Sequence, residues 1–150
     1  MLYSLPDIMF HRYILFLFAT SWCTLGMPIL STEDYGDKLN SMVKMLHDTC
    51  VARSGVKEST IEETKTGKFG NDEKAKRYVH CVWTSTVISD SGDIDMDMVK
   101  EICPPKIKNK APKILEDCFG KYSDQPTLEN RLYEMTKCIY KSDPDDFIMF

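Results

Sequence analysis

The chain has 150 residues, of which 43% are hydrophobic and 28% are charged. This balance is typical of one globular domain and excludes collagen-like and largely disordered sequence. The formal net charge is −4, so the sequence lacks the basic surplus of nucleic-acid-binding proteins and predicts no nucleic-acid partner.

Residues 1–26 have the features of a secretory signal peptide. An apolar run over residues 13–25 follows a histidine and an arginine, and it is shorter than the roughly 20 apolar residues that a membrane-spanning helix needs. The small residues Thr24 and Gly26 precede a cleavage site after Gly26. The alternative is an amphipathic N-terminal helix that stays attached. No second long apolar run follows, so we expect a secreted, extracellular protein of residues 27–150 without a membrane span.

The first half of this mature chain is predicted to be helical. One face of the first helix is apolar at spacings of three and four residues, at Leu39, Met42, Val43, Leu46 and Cys50. We expect Ser31 or Thr32 to cap this helix. A short helix over residues 56–64 and a glycine-containing loop over residues 65–71 follow. Asp72 then opens a helix whose apolar face is Ala75, Tyr78, Val79, Val82 and Trp83.

The second half continues the helical pattern. A turn over residues 89–93 leads to a helix over residues 94–102, which Pro104 stops because proline lacks the amide proton. The next helix has Pro112 in its first turn and Gly120 at its end. Thr127 caps the last helix, which Asp143 and Pro144 close. Since no run alternates with a period of two, we predict an all-α domain of about six short helices.

Five cysteines remain after removal of the signal peptide, and a secreted context permits disulfides. An odd number leaves one thiol free or bridging two chains. Bridges from Cys50 to Cys81 and from Cys118 to Cys138 would join neighbouring helices. Spacing alone does not decide this pairing.

Two segments carry a family resemblance. DEKAKRYVHCVW and ENRLYEMTKCIYKSDPDDF resemble the stretches around the second and third cysteines and around the sixth cysteine of insect odorant-binding proteins. The resemblance covers essentially residues 31–150. The family has six cysteines, and here Arg77 and Glu129 stand at its second and fifth places. Because those two cysteines are disulfide partners in the family, the sequence is similar to the minus-C subgroup, which lacks this bridge.

The resemblance implies the first-to-third and fourth-to-sixth pairings, which are Cys50 with Cys81 and Cys118 with Cys138. Cys103 has no counterpart among the six cysteine places of the family. We expect a buried free thiol there, since free cysteine behaves as a small hydrophobe; an intermolecular bridge is the alternative.

Arg77 and Glu129 have opposite charges at the places of the absent bridge. If the resemblance holds, their side chains could form an ion pair there. The alternative is that each is separately solvated. An exposed pair would be worth about 0–1 kcal/mol, less than the disulfide.

The resemblance further implies helices around an apolar cavity that binds a small hydrophobic ligand, such as an odorant, a pheromone or a lipid-like molecule. The apolar tail within residues 143–150 would fold over or into this cavity, and Tyr78 or Tyr133 would orient a polar group of the ligand. The expected ligand-binding residues are Met42, Leu46, Tyr78, Val82, Met98, Val99, Ile114, Leu115, Phe119, Leu132, Met135, Phe147 and Phe150. No cofactor is implied, and the remaining partners would be an olfactory receptor or a second copy of the chain.

A pH-triggered release is a further hypothesis from the sequence. The histidines of the mature chain are His47 and His80, and histidine is the residue type whose charge changes near physiological pH. The aspartates of the tail, Asp143, Asp145 and Asp146, could make it responsive to acid.

Enzymes and metal sites are the weaker interpretations. The fragment His47-Asp48-Thr49-Cys50 resembles part of the active-site helix of secreted phospholipase A2, but the rest of that motif is absent, so we predict no enzyme. A zinc site from His47, Cys50, His80 and Cys81 competes with a disulfide, which an oxidising compartment favours, so we predict no metal. The main rival to the carrier is a secreted helical signalling or protein-interaction factor with an exposed apolar patch and no small-molecule pocket.

Overall fold

A computed structural model describes Glu33 and residues 35–150. The predicted signal peptide lies outside these residues and stays a prediction. The described part of the chain contains six helices and no strand, which confirms the predicted all-α class. They are α1 (Gly36–Ser54), α2 (Glu58–Lys65), α3 (Glu73–Thr84), α4 (Met96–Ile102), α5 (Ala111–Lys121) and α6 (Leu128–Ser142). Among them, no helix is both long and apolar enough to cross a bilayer.

Side-chain caps explain where several helices begin. The Asp72 carboxylate accepts from the Lys74 amide at 2.8 Å at the start of α3, and the Thr127 hydroxyl accepts from the Asn130 amide at 3.2 Å at the start of α6. Each cap satisfies an amide that the first helical turn leaves without a partner. Both predicted caps are therefore confirmed.

Three predicted boundaries are wrong. Helix α1 begins at Gly36 with Tyr35 at its N-cap position, and not after a cap at Ser31 or Thr32, which lie outside the described residues. Gly36 has φ +77°, a left-handed conformation that glycine adopts readily. Helix α4 begins at Met96, since Ile94 forms an isolated β-bridge with Ile88. Helix α5 continues through Gly120 to Lys121.

The two disulfides are those that the resemblance implied. Cys50 on α1 is bonded to Cys81 on α3, with Cα atoms 5.6 Å apart, and Cys118 on α5 is bonded to Cys138 on α6, at 5.7 Å. Helix α3 packs against α1 and α6, and α6 packs against α5. Each disulfide thus reinforces a helix pair that is already in contact, and α3 and α6 form the centre of the fold.

The main core lies between α3 and α6. Leu132 and Met135 of α6 have no exposed surface, and Tyr78 and Val79 of α3 are buried against the same cluster. A second, smaller cluster contains Tyr35, Leu39 and Ile107. The residues after α6 reach both clusters, so the tail takes part in the core.

Arg77 and Glu129 form no ion pair in the described structure. Arg77 is exposed on α3, and Glu129 is half-buried in the first turn of α6. The hypothesis of an ion pair at the place of the absent disulfide is therefore wrong, and no charge pair replaces that link.

We predict that each disulfide stabilises the fold by about 3–4 kcal/mol, because each closes a loop of 31 or 20 residues in the unfolded chain. Replacing Cys50 and Cys81 together by alanine, or Cys118 and Cys138 together, should lower the free energy of unfolding by that amount. Urea titration followed by circular dichroism measures it. The matched control is Cys103→Ala, which removes a half-buried thiol outside these bridges and should cost less than about 1 kcal/mol. Equal losses in all three variants would contradict the prediction.

Candidate functional site

An apolar cavity of about 160 Å³ lies between α3, α4, α5, α6 and the tail. Its wall is mostly aliphatic and aromatic, with two threonines and two aspartates. The lining residues are Leu39, Val79, Val82, Trp83, Thr86, Val87, Val99, Ile102, Cys103, Pro104, Ile107, Ala111, Ile114, Leu115, Thr136, Ile139, Asp143, Asp146, Phe147, Ile148, Met149 and Phe150.

The two threonines on the wall have their hydroxyl protons engaged within the protein. Thr136 donates to the Leu132 carbonyl at 2.7 Å and accepts from the Trp83 indole N–H at 2.9 Å. Thr86 donates to the Val82 carbonyl at 2.9 Å. These internal bonds let polar side chains line the cavity at little cost, and the wall is suited to an apolar occupant.

The tail, residues 147–150, closes one side of the cavity. Phe147 and Met149 are each 8% exposed and belong to the main core, Ile148 packs against the smaller cluster, and Phe150 packs against both. Phe147 also contacts the Tyr140 ring edge-on, with centroids 5.2 Å apart.

Ion pairs hold the base of the tail. Asp146 accepts from Lys106 at 2.8 Å and from Lys110 at 2.6 Å, and Lys110 also binds Asp143 at 2.5 Å. The hydrogen bonds from Lys106 and Lys110 hold the pKa of Asp146 below its ordinary value, and those to Asp143 and Asp146 raise the pKa of Lys110. We call these ion pairs of Lys106 and Lys110 with Asp143 and Asp146 the clamp. It weakens in acid only when the pH falls through the lowered pKa of Asp146.

A buried tyrosine holds the end of the tail. The Tyr78 hydroxyl donates to the main-chain oxygen of Phe150, and His47 Nδ1 lies 3.1 Å from the same hydroxyl. The other ring nitrogen of His47 lies 3.2 Å from Glu58 Oε1. Burial raises the pKa of Tyr78 far above its ordinary value, so the phenol keeps its proton.

Part of the predicted ligand-binding set lies on the cavity wall. These residues are Val82, Val99, Ile114, Leu115, Phe147 and Phe150. The structure brings them together from α3, α4, α5 and the tail. Their role in binding stays a prediction.

The other predicted residues lie elsewhere. Leu132 and Met135 fill the core behind the cavity, where they are fully enclosed. The guanidinium of Arg131 covers the Phe119 ring at 3.4 Å, and Phe119 is a half-buried residue that packs against the main core. The remaining ones are Met42, half-buried on α1; Leu46, buried on α1; Met98, packed against the core; and Tyr78, under the tail.

The polar groups proposed to orient a ligand have partners of their own. Tyr133 donates to the Gly70 carbonyl at 2.9 Å, and Tyr78 donates to Phe150. Cys103 is a half-buried thiol on the cavity wall and forms no disulfide within the described chain. Burial raises the pKa of this thiol, so it remains protonated and acts as part of the apolar wall.

Several wall residues were not in the predicted set. Trp83 was assigned to the buried face of α3 but not to the cavity, and Pro104 and Ile107 belong to a segment without helical periodicity. The contact between residues 103–110 and the tail has one indication in the sequence, which is opposite charge: lysines at 106 and 110, and aspartates at 143 and 146. Their pairing becomes visible only in three dimensions.

Metal-binding groups are not gathered at this site. Cys50 and Cys81 of the considered zinc set are joined by a disulfide, so their sulfurs are not free to bind a metal. Within the part of the chain that the structure describes, no three histidine, cysteine, aspartate or glutamate side chains form a cluster suited to a metal ion.

Similarities in sequence and in fold to known proteins point to the same family. Residues 32–142 match the PBP/GOBP family. Two proteins of Tenebrio molitor are similar in sequence: the B1 protein, 30% identical over 65% of this chain and 75% of its own, and the B2 protein, 29% identical over 82% and 92%. The fold is similar to that of odorant binding protein 5 of Apis mellifera, at 20% identity over 81% of this chain and 98% of that one, with a TM-score of 0.64. It is also similar to odorant binding protein 7 of Anopheles gambiae, solved with an azo compound, at 24% identity over 76% and 98%, with a TM-score of 0.58.

We predict that Asp146→Asn loosens the tail, because the substitution removes the charge that Lys106 and Lys110 bind. Amide hydrogen exchange of residues 147–150 should become about two- to fivefold faster, the range expected for a partly exposed ion pair. The matched control is Asp145→Asn, at an exposed aspartate for which the described structure shows no ion pair. Equal exchange in the two variants would show that the clamp does not hold the tail.

Proposed function

Because the chain belongs to the PBP/GOBP family, we propose that it is a secreted carrier that binds one small hydrophobic molecule in the cavity under its tail. The carrier acts by non-covalent binding and release and needs no catalytic group. In this proposal the ligand is held mainly by burial of apolar surface, which contributes about 25 cal/mol per Å² before the costs of ordering.

The observation that supports the proposal is the cavity itself. An apolar cavity of about 150 Å³ in another protein stays dry and takes up a molecule of the size of benzene, and the cavity here is of about 160 Å³. A ligand with one ring, or a short chain of similar bulk, therefore suits the closed form. Longer molecules would require the tail to move outward.

The exposed surface favours a carrier over a protein-interaction factor. Among the described residues, one large hydrophobic side chain is strongly exposed, that of Met45 at 64%. A single exposed methionine is ordinary on a protein surface, whereas a docking site for a protein shows a continuous apolar patch. The cavity wall is the continuous apolar surface that suits recognition of a small molecule.

We predict saturable binding of an environment-sensitive apolar dye with one site per chain. Single-ring and short-chain alcohols, aldehydes and terpenes should displace it, and long-chain fatty compounds should compete at least tenfold less well because the closed cavity is small. Trp83 lies on the wall, so quenching of its fluorescence provides a second readout. No saturable binding by a folded monomer would overturn the carrier, and equal competition by long chains would overturn the size limit.

We predict that Ala111→Phe weakens dye binding at least tenfold, because Ala111 is on the cavity wall and the added ring takes up part of its volume. The matched control is Ala52→Phe, the same change at an exposed position of α1 away from the cavity, and it should bind as the parent does. Circular dichroism establishes that both variants are folded. Equal affinity of the two variants would place the binding site elsewhere.

A further inference from the structure

The polar side chains on the cavity wall determine which polar group a ligand can bring into it. A ligand that enters the cavity loses the hydrogen bonds that it makes with water, and an unreplaced hydrogen bond weakens binding. The other lining side chains are apolar, so replacement depends on a short set. Its members are Thr86, Thr136, Asp143, Asp146, the Cys103 thiol and the Trp83 indole N–H.

The Thr86 hydroxyl has an engaged proton and an oxygen that can still accept. Its proton lies between two main-chain carbonyls, that of Val82 at 2.9 Å and that of Trp83 at 3.1 Å. A hydroxyl oxygen has two lone pairs as well, and within the part of the chain that the structure describes no group donates to this oxygen. Thr86 therefore presents a hydrogen-bond acceptor on the wall and keeps its proton for the protein.

The strongest neutral donor among these side chains, the Trp83 indole N–H, is already bound. It donates to Thr136 Oγ1 at 2.9 Å, and the Thr136 hydroxyl in turn donates to the Leu132 carbonyl at 2.7 Å. Thr136 is only 1% exposed, so these two bonds are enclosed in the core. Neither the indole proton nor the Thr136 proton is available to a ligand.

The carboxylates at the base of the tail add acceptors and no donor. Asp146 accepts from Lys106 and Lys110, and Lys110 also binds Asp143. The remaining side-chain proton on the wall is that of the Cys103 thiol, and a thiol is a weak donor. The side chains of the wall thus offer a ligand acceptors but no strong donor that is free.

We propose that the cavity selects a ligand with a hydroxyl group over a ligand of the same shape with a carbonyl group, and that Thr86 accepts the hydroxyl proton. The proposal rests on the carrier function proposed above and adds the chemical class of the ligand. An alcohol that donates to Thr86 replaces a hydrogen bond that it leaves in water. A ketone, an aldehyde or an ester can only accept, so the side chains of the wall leave its oxygen without a strong donor.

The size of the preference follows from the contribution of one hydrogen bond. A neutral hydrogen bond changes an affinity by about three- to tenfold, and enclosing an acceptor without a donor acts in the same direction. This selection concerns the kind of polar group and is separate from the size limit that the cavity volume sets.

The test compares cyclohexanol with cyclohexanone, which share a ring and differ in whether the oxygen can donate. Displacement of the bound apolar dye gives a dissociation constant for each ligand, and the ratio of the two constants is measured in the parent and in three variants. The cost of leaving water is the same for a given ligand in every variant, so a change in the ratio reports on the protein. We expect the parent to bind cyclohexanol about three- to tenfold more tightly than cyclohexanone.

The variants separate an acceptor role of Thr86 from a general effect on folding. Thr86→Val keeps the shape of the side chain without the oxygen and should lose the preference, while Thr86→Ser keeps the hydroxyl and should retain it. The matched control is Thr84→Val. Thr84 donates to the His80 carbonyl at 2.9 Å, the same kind of internal bond, and does not line the cavity, so this variant should retain the preference. Circular dichroism establishes that each variant is folded.

Equal affinity of the parent for the two ligands, a preference that survives in Thr86→Val, or its loss in Thr86→Ser or Thr84→Val would each overturn the proposal. Binding of both ligands with a ratio that does not respond to Thr86 would refute the role of Thr86 and leave the carrier in place. Failure of the folded parent to bind either ligand would refute the carrier as well, so the two failures can be told apart.

Discussion

Six short helices leave an apolar space between them, and the closure of this space by the tail is the constraint on which the structure depends. Helices α3 and α6 meet in the centre, and α1 and α5 are joined to them by disulfides. The tail supplies Phe147 and Met149 to the main core. Without these side chains the apolar faces of α3 and α6 would be open to water, at a cost proportional to the area exposed.

The tail is held by three kinds of interaction at three places. Ion pairs from Lys106 and Lys110 hold its base, aromatic contacts hold Phe147, and the Tyr78 hydroxyl holds Phe150. Exposed ion pairs and single hydrogen bonds each contribute about 1 kcal/mol or less. A closure made of several weak contacts is compatible with the proposed carrier, because each contact is small compared with the stability of a folded domain.

The sequence predicted the helices and their buried faces well, because a periodicity of 3.6 residues reports directly which side of a helix faces the interior. The predicted apolar faces of α1 and α3 include Leu39, Tyr78 and Val79, and all three are buried. The same signal does not tell whether the interior beside a residue is filled or empty. Of the residues expected to bind the ligand, Leu132 and Met135 belong to the packed core, while Val99 and Ile114 line the cavity.

Sequence patterns did not predict that residues 103–107 form part of the cavity wall, nor that Lys110 pairs with Asp146. Prolines interrupt the helical pattern there, and 36 residues of sequence separate the two ends of the clamp. The disulfide pairing followed from the family resemblance, since spacing left it open. The absence of the second-to-fifth bridge was identified correctly from Arg77 and Glu129. Of the two alternatives for their opposite charges, the ion pair is not formed in the described structure.

Binding under the tail is tested most directly by locating a bound single-ring alcohol through nuclear Overhauser effects in solution. We expect effects from the ligand to the Trp83 indole and to the methyl groups of Val99 and Ile114, with Phe147 close to it on the tail side. Effects confined to the outer surface, or none from a folded protein in excess ligand, would contradict a carrier that encloses its ligand under the tail.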